Sequence, residues 1–553
     1  MTTLNSINTR VLIVGAGPTG LTLANLLGQA GVDAWVIDSK PGTVTEPRAV
    51  SIDDESLRTM QALGLSQEVL ADVVAGYGVH YFTRPGGRCF GKVEPSGKLY
   101  GFPKRNAFRQ PLFESTLRAG LERFTCLTAR FNHELLEFTQ DEFGVRALIV
   151  DGNKQLLEVQ ADYLIACDGG RSPVRKQLGI NMVGSSFASR WLVVDTDQDD
   201  DAFWQTRVYC DARRPIVEVP GPHRTRRFEF MLKNDESDAQ MLSPERLQTL
   251  LRPFKGDAAV SIVRKTVYTF HARIAERWQV NRVLLAGDAA HLTPPYAGQG
   301  MNSGVRDAHN LAWKLIGVVS GKMAPAILQT YESERRDHAW ALIKLALNLG
   351  VVMAPASVLR ARLISGAFAL IGLVPPLRDY FLQMRFKPKP RLRQGLVLSE
   401  GALGNLSSGQ MFPQPSLTDS HGVERLLDDY IGAGFALIQY GDPREQRVDK
   451  LQHPLWAHLE ARRILILPGS GTEAPTLPGC TVLQDRQGVL KDLLGTRGGF
   501  FLLRPDRYVA AIFQGATETA SAEALQSLFG AVPTGEPVAQ PSFPTSVTLT
   551  RCV

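Results

Sequence analysis

The sequence predicts an α/β fold in which a Rossmann-like nucleotide-binding unit is interleaved with a second, sheet-rich unit. Three observations predict it. An apolar strand, Arg10-Val-Leu-Ile-Val, runs into Gly15-Ala16-Gly17-Pro18-Thr19-Gly20 and then a helical pattern, Leu21 to Gly31. Far downstream, Arg282-Val-Leu-Leu-Ala is a second apolar strand ending in Gly287-Asp288, and Gly298-Gln299-Gly300-Met301-Asn302 opens an amphipathic helix, Asn302 to Ile316. Between them, residues 181 to 280 alternate apolar and polar side chains in short runs, the period of half-buried strands.

The first element is a dinucleotide fingerprint in its required context of strand, glycine turn and helix. Gly15 permits the tight turn, Gly17 lets the backbone approach a pyrophosphate, and Gly20 lets helix and strand pack closely. The helix N-terminus then faces the phosphates. A second strand, Ala34 to Asp38, places Asp38 where a carboxylate accepts hydrogen bonds from a ribose diol, which fits FAD or NAD better than NADP.

The downstream element separates these two. Asp288 at a strand end can hold ribityl hydroxyls, while Gly298 and Gly300 leave amides and a helix N-terminus facing an electron-rich flavin edge. NAD needs neither, so the pair of motifs reads as an FAD site. A third Asp-Gly element follows the strand Tyr163 to Cys167, as Asp168-Gly169-Gly-Arg171-Ser-Pro-Val-Arg175. Asp168 is read either as a cofactor contact or as a helix N-cap before Ser172 to Leu178.

These three elements together resemble the group A flavoprotein monooxygenases, the aromatic hydroxylases related to p-hydroxybenzoate hydroxylase. By that resemblance Asp168 and Arg171 touch both FAD and the passing nicotinamide nucleotide. Arg48 lies near the FAD pyrophosphate and Gln110 lines the FAD; a solvated arginine and a helix-start glutamine are the plainer readings. Within the family the likeness extends to the 3-(3-hydroxyphenyl)propanoate hydroxylases, through Ser51-Ile-Asp-Asp-Glu-Ser-Leu-Arg-Thr-Met-Gln, Gly87-Arg-Cys-Phe, Lys104-Arg-Asn-Ala-Phe, Arg226-Arg-Phe-Glu-Phe-Met and Met384-Arg-Phe-Lys-Pro. Pro295-Tyr296-Ala297 departs from it, where a tryptophan and a tyrosine are expected at the flavin face.

The resemblance implies an FAD domain from residues 1–75, 105–180 and 280–395, and a substrate domain from 76–104 and 181–279 roofing the flavin with an antiparallel sheet. After the Pro-rich basic linker Lys387-Pro-Lys-Pro-Arg-Leu-Arg, residues 396–553 are expected to form a small thioredoxin-like C-terminal domain. Strands are expected there at Phe435 to Tyr440, Arg463 to Leu467 and Gly499 to Leu503. Without a CxxC it should carry no dithiol chemistry.

The implied reaction is FAD-dependent: NADH or NADPH reduces the flavin, O2 is the co-substrate, and a phenolic acid gains a hydroxyl ortho to its own. The expected substrate is 3-(3-hydroxyphenyl)propanoate and the product a catechol; resorcinol, a hydroxybenzoate or a polyketide, or a Baeyer-Villiger insertion, are the alternatives within the fold. No catalytic base is assigned. His271, Tyr296, Arg213, Arg214 and His223 are the candidates for substrate contact, and His291 is assigned to helix-end packing. None of the seven tryptophans forms the WxWxxP of flavin halogenases. A non-enzymatic escort protein of this fold would have no need of the Gly287-Asp288 site.

Composition agrees. A chain of 553 residues, 44% hydrophobic, buries several cores, and its length suggests three or four domains. A net charge of +6 from 61 basic and 55 acidic residues, without a basic run interleaved with aromatics, argues against nucleic-acid binding. Six scattered cysteines, Cys89, Cys126, Cys167, Cys210, Cys480 and Cys552, show no metal spacing and imply a reducing cytoplasm, as does the missing signal-peptide core. The apolar run Ile364 to Val374 is too short to span a bilayer and is expected to be a packed helix end. No metal is expected, and a homodimer is compatible.

Overall fold

The computed structural model describes residues 5–43, 49–258, 260–442, 447–469 and 475–529. Its first layer is an eight-stranded sheet whose core is five parallel strands, in the order Val283–Leu285, Leu156–Ala166, Asn5–Val14, Ala34–Asp38, Leu127–Phe131. Strands this apolar suit a sheet covered on both faces. The register pairs Val14 with both Ala166 and Ile37, and Ala166 with Leu285. The three motifs therefore leave the sheet side by side at its C-terminal edge, where open α/β sheets bind ligands.

The Gly-rich turn leads into the helix Pro18–Gln29, which packs against the helix Gly300–Val319. The predicted downstream helix thus starts two residues earlier and runs three residues longer. Close approach explains the glycines: a Cβ on Gly20 would stand 2.0 Å from the carbonyl oxygen of Gly15.

The second layer is an eight-stranded, largely antiparallel sheet that includes Met182–Thr196, Thr206–Tyr209, Ile216–Gly221, Thr225–Met231 and Ile262–Ala275. Val79–Phe82 joins it beside Thr206–Tyr209, and Cys89–Val93 forms its outer edge. Strand Ser51–Asp53 and strand Val73–Ala75 instead flank Arg105–Phe108 in a separate three-stranded sheet. In Thr225–Met231 the alternation is explicit. Phe228 and Phe230 pack under the helix Pro244–Lys255, while Arg227 and Glu229 face the other way.

The C-terminal part has a seven-stranded mixed sheet centred on Arg462–Pro468, Ala436–Tyr440 and Gly499–Leu503, with a core of its own. It is not loosely tethered. Arg58 grips Asp428 through two 2.7 Å hydrogen bonds, and Arg504 grips Glu334 at 2.7 and 2.8 Å, all four side chains buried.

One expectation needs correction. The run Ile364 to Val374 does not end in a packed core: it lies in the helix Val358–Gly372, where Ser365 alone is buried, and Leu370 and Leu373 are 67% and 77% exposed. Its inner face covers a sheet edge and its outer face meets water. No single helix among the described residues is long and apolar enough to cross a membrane.

Candidate active site

A cavity of about 480 Å³ opens between the C-terminal edge of the parallel sheet and the inner face of the second sheet. The sequence-predicted cofactor residues Gly15, Ala16, Gly17, Pro18, Thr19, Asp38 and Gln110 line it, as do Asp168, Asp288, Gly298, Gln299, Gly300 and Met301. Residues from six separate stretches of the chain are thus brought to one cavity.

The local geometry explains why. Asp38 accepts hydrogen bonds from the backbone N–H of Ala16 and of Lys40, each at 2.9 Å, so its carboxylate braces the glycine turn as well as facing the cavity. Gln110 begins the helix Gln110–Leu121; its Oε1 accepts from the Ala49 N–H at 2.7 Å and its Nε2 donates to Glu114 at 2.7 Å. Gly298 sits at φ +61°, the left-handed turn that lets the chain double back into the helix at Gly300.

Several features fit a bound dinucleotide. The helices Pro18–Gln29 and Gly300–Val319 both begin at this cavity and neither has a side-chain cap, so two sets of backbone N–H groups and two positive dipole ends converge there. A Cβ on Gly17 would meet nothing within 4 Å. Asp288 is exposed at the cavity wall between buried Gly287 and Ala289.

Asp168 supplies a further mark. Its Oδ2 accepts from the Val174 N–H at 3.2 Å, while Ser172 is the N-cap of the short helix that follows; its Oδ1 is buried with no hydrogen-bond partner among the described residues. Such an orphaned acceptor costs about 1–3 kcal/mol, and burial raises the carboxyl's pKa. A hydroxyl donor from a ligand would satisfy it. Ser172, not Asp168, is therefore the N-cap; Asp168 supports the first turn of that helix through Oδ2.

Four predicted cofactor positions among the described residues, Gly20, Arg171, Gly287 and Asn302, do not line the cavity. Gly20 backs onto Gly15, Gly287 backs onto Thr19, and Arg48 lies outside the described residues. Asn302 is fully buried and knits the site from behind. Its Nδ2 donates to the carbonyls of Ser51 and Gly298 at 2.9 and 2.8 Å, and its Oδ1 accepts from Asp53 N–H and Ser56 Oγ. Arg171 is exposed and outside the lining.

Of the five substrate candidates, Tyr296 alone lines the cavity, edge-on to Trp191 and Phe270 at 5.9 and 6.0 Å, with its phenol pushed up to about 12 by burial. The others are placed elsewhere because they have other partners or face away. Arg213 is held by Asp211 on the surface, Arg214 by Glu236, and His223 by Asp72. His271 stands on the strand Ile262–Ala275, its pKa lowered by burial and by Arg273 and Arg171.

The structure brings in residues that sequence reasoning missed. Tyr77, Tyr81, Arg105, Arg227 and Glu229 enclose the sheet-side half with a wall of valines, Val79, Val93, Val208, Val217 and Val219. Arg227 is held by Asp195 at 2.7 and 3.1 Å. Arg105 is different: it stacks 4.5 Å from the Tyr77 ring centroid and donates to its hydroxyl at 2.9 Å, and among the described residues no carboxylate pairs with it. The motifs Lys104-Arg105-Asn and Arg226-Arg227 had marked both segments, without saying which side chain turns inward.

The chain resembles known proteins in sequence and fold. The FAD binding domain family matches residues 8–346 and the HcaD C-terminal domain family residues 409–528. The chain is 39% identical to the 3-(3-hydroxy-phenyl)propionate/3-hydroxycinnamic acid hydroxylase of Comamonas testosteroni, over 91% of this chain and 94% of that protein. It is 41% identical to the enzyme of that name from Klebsiella pneumoniae subsp. pneumoniae, over 91% of each. Among solved structures, the flavin-dependent monooxygenase PieE with FAD and substrate superposes with a TM-score of 0.77 at 22% identity, covering 95% of this chain and 99% of PieE. Aklavinone-11 hydroxylase with FAD and aklavinone gives 0.75 at 24%, covering 96% and 100%. These two show the shared fold.

Proposed function

This chain belongs to the family of FAD-dependent aromatic hydroxylases, and from that premise we propose that it hydroxylates 3-(3-hydroxyphenyl)propanoate to 3-(2,3-dihydroxyphenyl)propanoate, consuming NADH or NADPH and O2. The observation that carries the choice of a phenolic acid is Arg105. Among the described residues it is a cation with no countercharge, and it lines the cavity together with tyrosines and valines. An aromatic ring with a short carboxylate tail matches both halves of that surface: the ring replaces apolar contacts and the tail supplies the charge.

The cofactor residues take up the roles their placement supports. The two uncapped helix N-termini would hold the pyrophosphate and the flavin's pyrimidine edge, Asp38 the ribose, and Asp168 and Asp288 hydroxyl groups. Bound FAD, reduced by the nicotinamide nucleotide, supplies the activated oxygen that the ring receives. The chain's own tasks are positioning and exclusion. Arg105 orients the substrate by its tail, the valine wall keeps water from the reacting face, and Tyr296 stays protonated as a hydrogen-bond partner for the substrate phenol. Glu229, its carboxyl raised by burial and lowered by Arg227, lines the same half and is the group we assign to receive the phenol proton.

The five described cysteines are free thiols, which suits the reducing cytoplasm to which we assign the enzyme. The test compares 3-(3-hydroxyphenyl)propanoate with 3-ethylphenol, which lacks the carboxylate, in the FAD-loaded wild type and in Arg105→Met. Substrate-stimulated nucleotide oxidation with matching catechol formation is expected. Loss of a charge-assisted contact of about 1.5–3 kcal/mol should raise KM roughly ten- to a hundredfold for the acid, and leave 3-ethylphenol unchanged. Nucleotide oxidation without catechol, or an equal effect on both compounds, overturns the assignment.

A further inference from the structure

The helices Val358–Gly372 and Pro375–Leu382 form a surface that the hydroxylase reading does not use. Their inner side has a structural task. Phe368 packs on Tyr81, Phe90 and Phe381 at centroid distances of 6.2, 5.8 and 5.5 Å, and a Cβ on Gly91 would stand 3.0 Å from its ring. The Glu94 N–H donates to the Leu382 carbonyl at 2.9 Å, so the pair covers the exposed edge strand Cys89–Val93 of the substrate-side sheet.

The outer side has no such explanation. Leu359, Leu363 and Leu370 recur at helical spacing along one face, and Leu373 and Leu377 continue the stripe across the break; all five are between 48% and 77% exposed. Arg360 and Arg362 flank the stripe on either side and Arg378 follows it, all exposed, and Asp379 is the one acid from Val358 to Leu382. Arg385 and Lys389 extend the basic margin.

We infer that this face docks on an anionic lipid bilayer. A helix of 15 residues reaches about 22 Å, short of the roughly 30 Å hydrocarbon core, so it lies in the interface instead of spanning it. A leucine stripe bordered by arginines is the composition of such a helix, the leucines entering the acyl boundary and the arginines meeting phosphate headgroups. Charge decides against a second copy of the chain as occupant: a two-fold contact would set Arg360, Arg362 and Arg378 against themselves, whereas headgroups carry the opposite sign. Docked this way, the face holds the cavity one layer of side chains from the membrane, since Tyr81 on its inner side and Met384 and Phe386 just after it line the cavity.

The experiment is co-sedimentation of the FAD-loaded full chain with vesicles of equimolar phosphatidylglycerol and phosphatidylcholine, and of phosphatidylcholine alone, at low and high salt. The variants are L363E/L370E and R360E/R362E, all at exposed positions outside the active site. The inference expects sedimentation with the anionic vesicles, suppressed by salt, and its loss in both variants while turnover of dissolved substrate stays at the wild-type level. It is overturned if the wild type stays in the supernatant, or if R360E/R362E binds as wild type does. It is also overturned if light scattering shows a dimer that L363E/L370E splits, which would make the face a contact between copies. Because the readout is sedimentation, a wrong substrate assignment leaves the result intact.

Discussion

The imidazole Nε2 of His291 and the carboxylate of Asp307 meet at 2.6 Å with neither side chain exposed to water. Asp307 also accepts from the Gly287 N–H at 3.1 Å and from Arg335 Nε at 2.9 Å, so one carboxylate ties the Gly-Asp turn to the helices Gly300–Val319 and Gln329–Met353. Burial raises its pKa, but the charges of His291 and Arg335 outweigh burial and hold the carboxyl below its usual range. Asp307→Asn keeps the shape and leaves the buried Arg335 without its countercharge, at a cost of about 3–5 kcal/mol. A thermal scan should show a markedly lower Tm. A depressed carboxyl contributes stability above its unfolded pKa and loses it as the pH falls, so the gap between wild type and variant should narrow in acid. An unchanged Tm near neutrality would refute the assignment.

Gly17 and Gly20 separate cofactor binding from folding. At Gly20 a Cβ would collide with the Gly15 carbonyl at 2.0 Å, an overpacking that costs about 1–3 kcal/mol. At Gly17, with φ −82°, alanine is conformationally acceptable and its Cβ points into open space at the cavity. Gly20→Ala should lower the Tm of the FAD-free protein. Gly17→Ala should leave that Tm unchanged and weaken FAD binding, read by quenching of flavin fluorescence. Wild-type FAD affinity in Gly17→Ala would remove the pyrophosphate from this turn.

Strands followed by glycine turns were legible because each motif carries its own local signal: an apolar run, a break, a helical period. Arg105, Arg227 and Glu229 were not, because they reach the cavity from strands far apart in the chain, and alternation shows that a strand has two faces without saying which one lies inside. Arg226 and Arg227 illustrate it: adjacent residues, of which the first is buried against Asp199 and Glu218 and the second lines the cavity. Arg213, Arg214 and His223 fail for the converse reason, since nearby acids hold them away from the cavity. The run Ile364 to Val374 shows a related limit, because its apolar composition is the same whether the face meets a core or water.

Arg58 and Asp428 lie 370 positions apart and make a buried two-pronged pair, with Arg58 Nη1 also donating to the Phe412 carbonyl at 2.6 Å. This pair fastens the C-terminal sheet to the helix Asp54–Ala62. Arg58→Ala leaves the buried Asp428, whose carboxyl is otherwise held at about 2 because Arg58 and Arg507 outweigh burial, with Arg507 at 3.2 Å as its remaining cation among the described residues, and should lower the Tm. Limited proteolysis should then cut the connection around residues 387–398 faster than in wild type. Arg58→Lys should not restore protection, since an ammonium cannot reproduce the fork. Equal cleavage of wild type and Arg58→Ala would show that the sheet is fastened elsewhere.

Asp54 gives a pH dependence of the opposite sign to that of Asp307. It is buried at the start of the same helix between Asp53 and Glu55; burial raises its carboxyl, their charges add to it, and Lys387 and Arg306 only partly oppose, leaving it at about 7. In the unfolded chain it titrates near 4. A raised carboxyl favours the folded state fully below the unfolded value, and that contribution is lost as the pH rises towards 7, because the unfolded chain ionises freely while the folded one resists. Asp54→Asn is neutral throughout and carries no such loss. The Tm of the variant minus that of wild type should therefore rise as the pH goes from about 4 to about 7 and level off above it. A difference that stays flat across this range would mean that Asp54 ionises in the fold like a solvent carboxylate, its charge matched by Lys387.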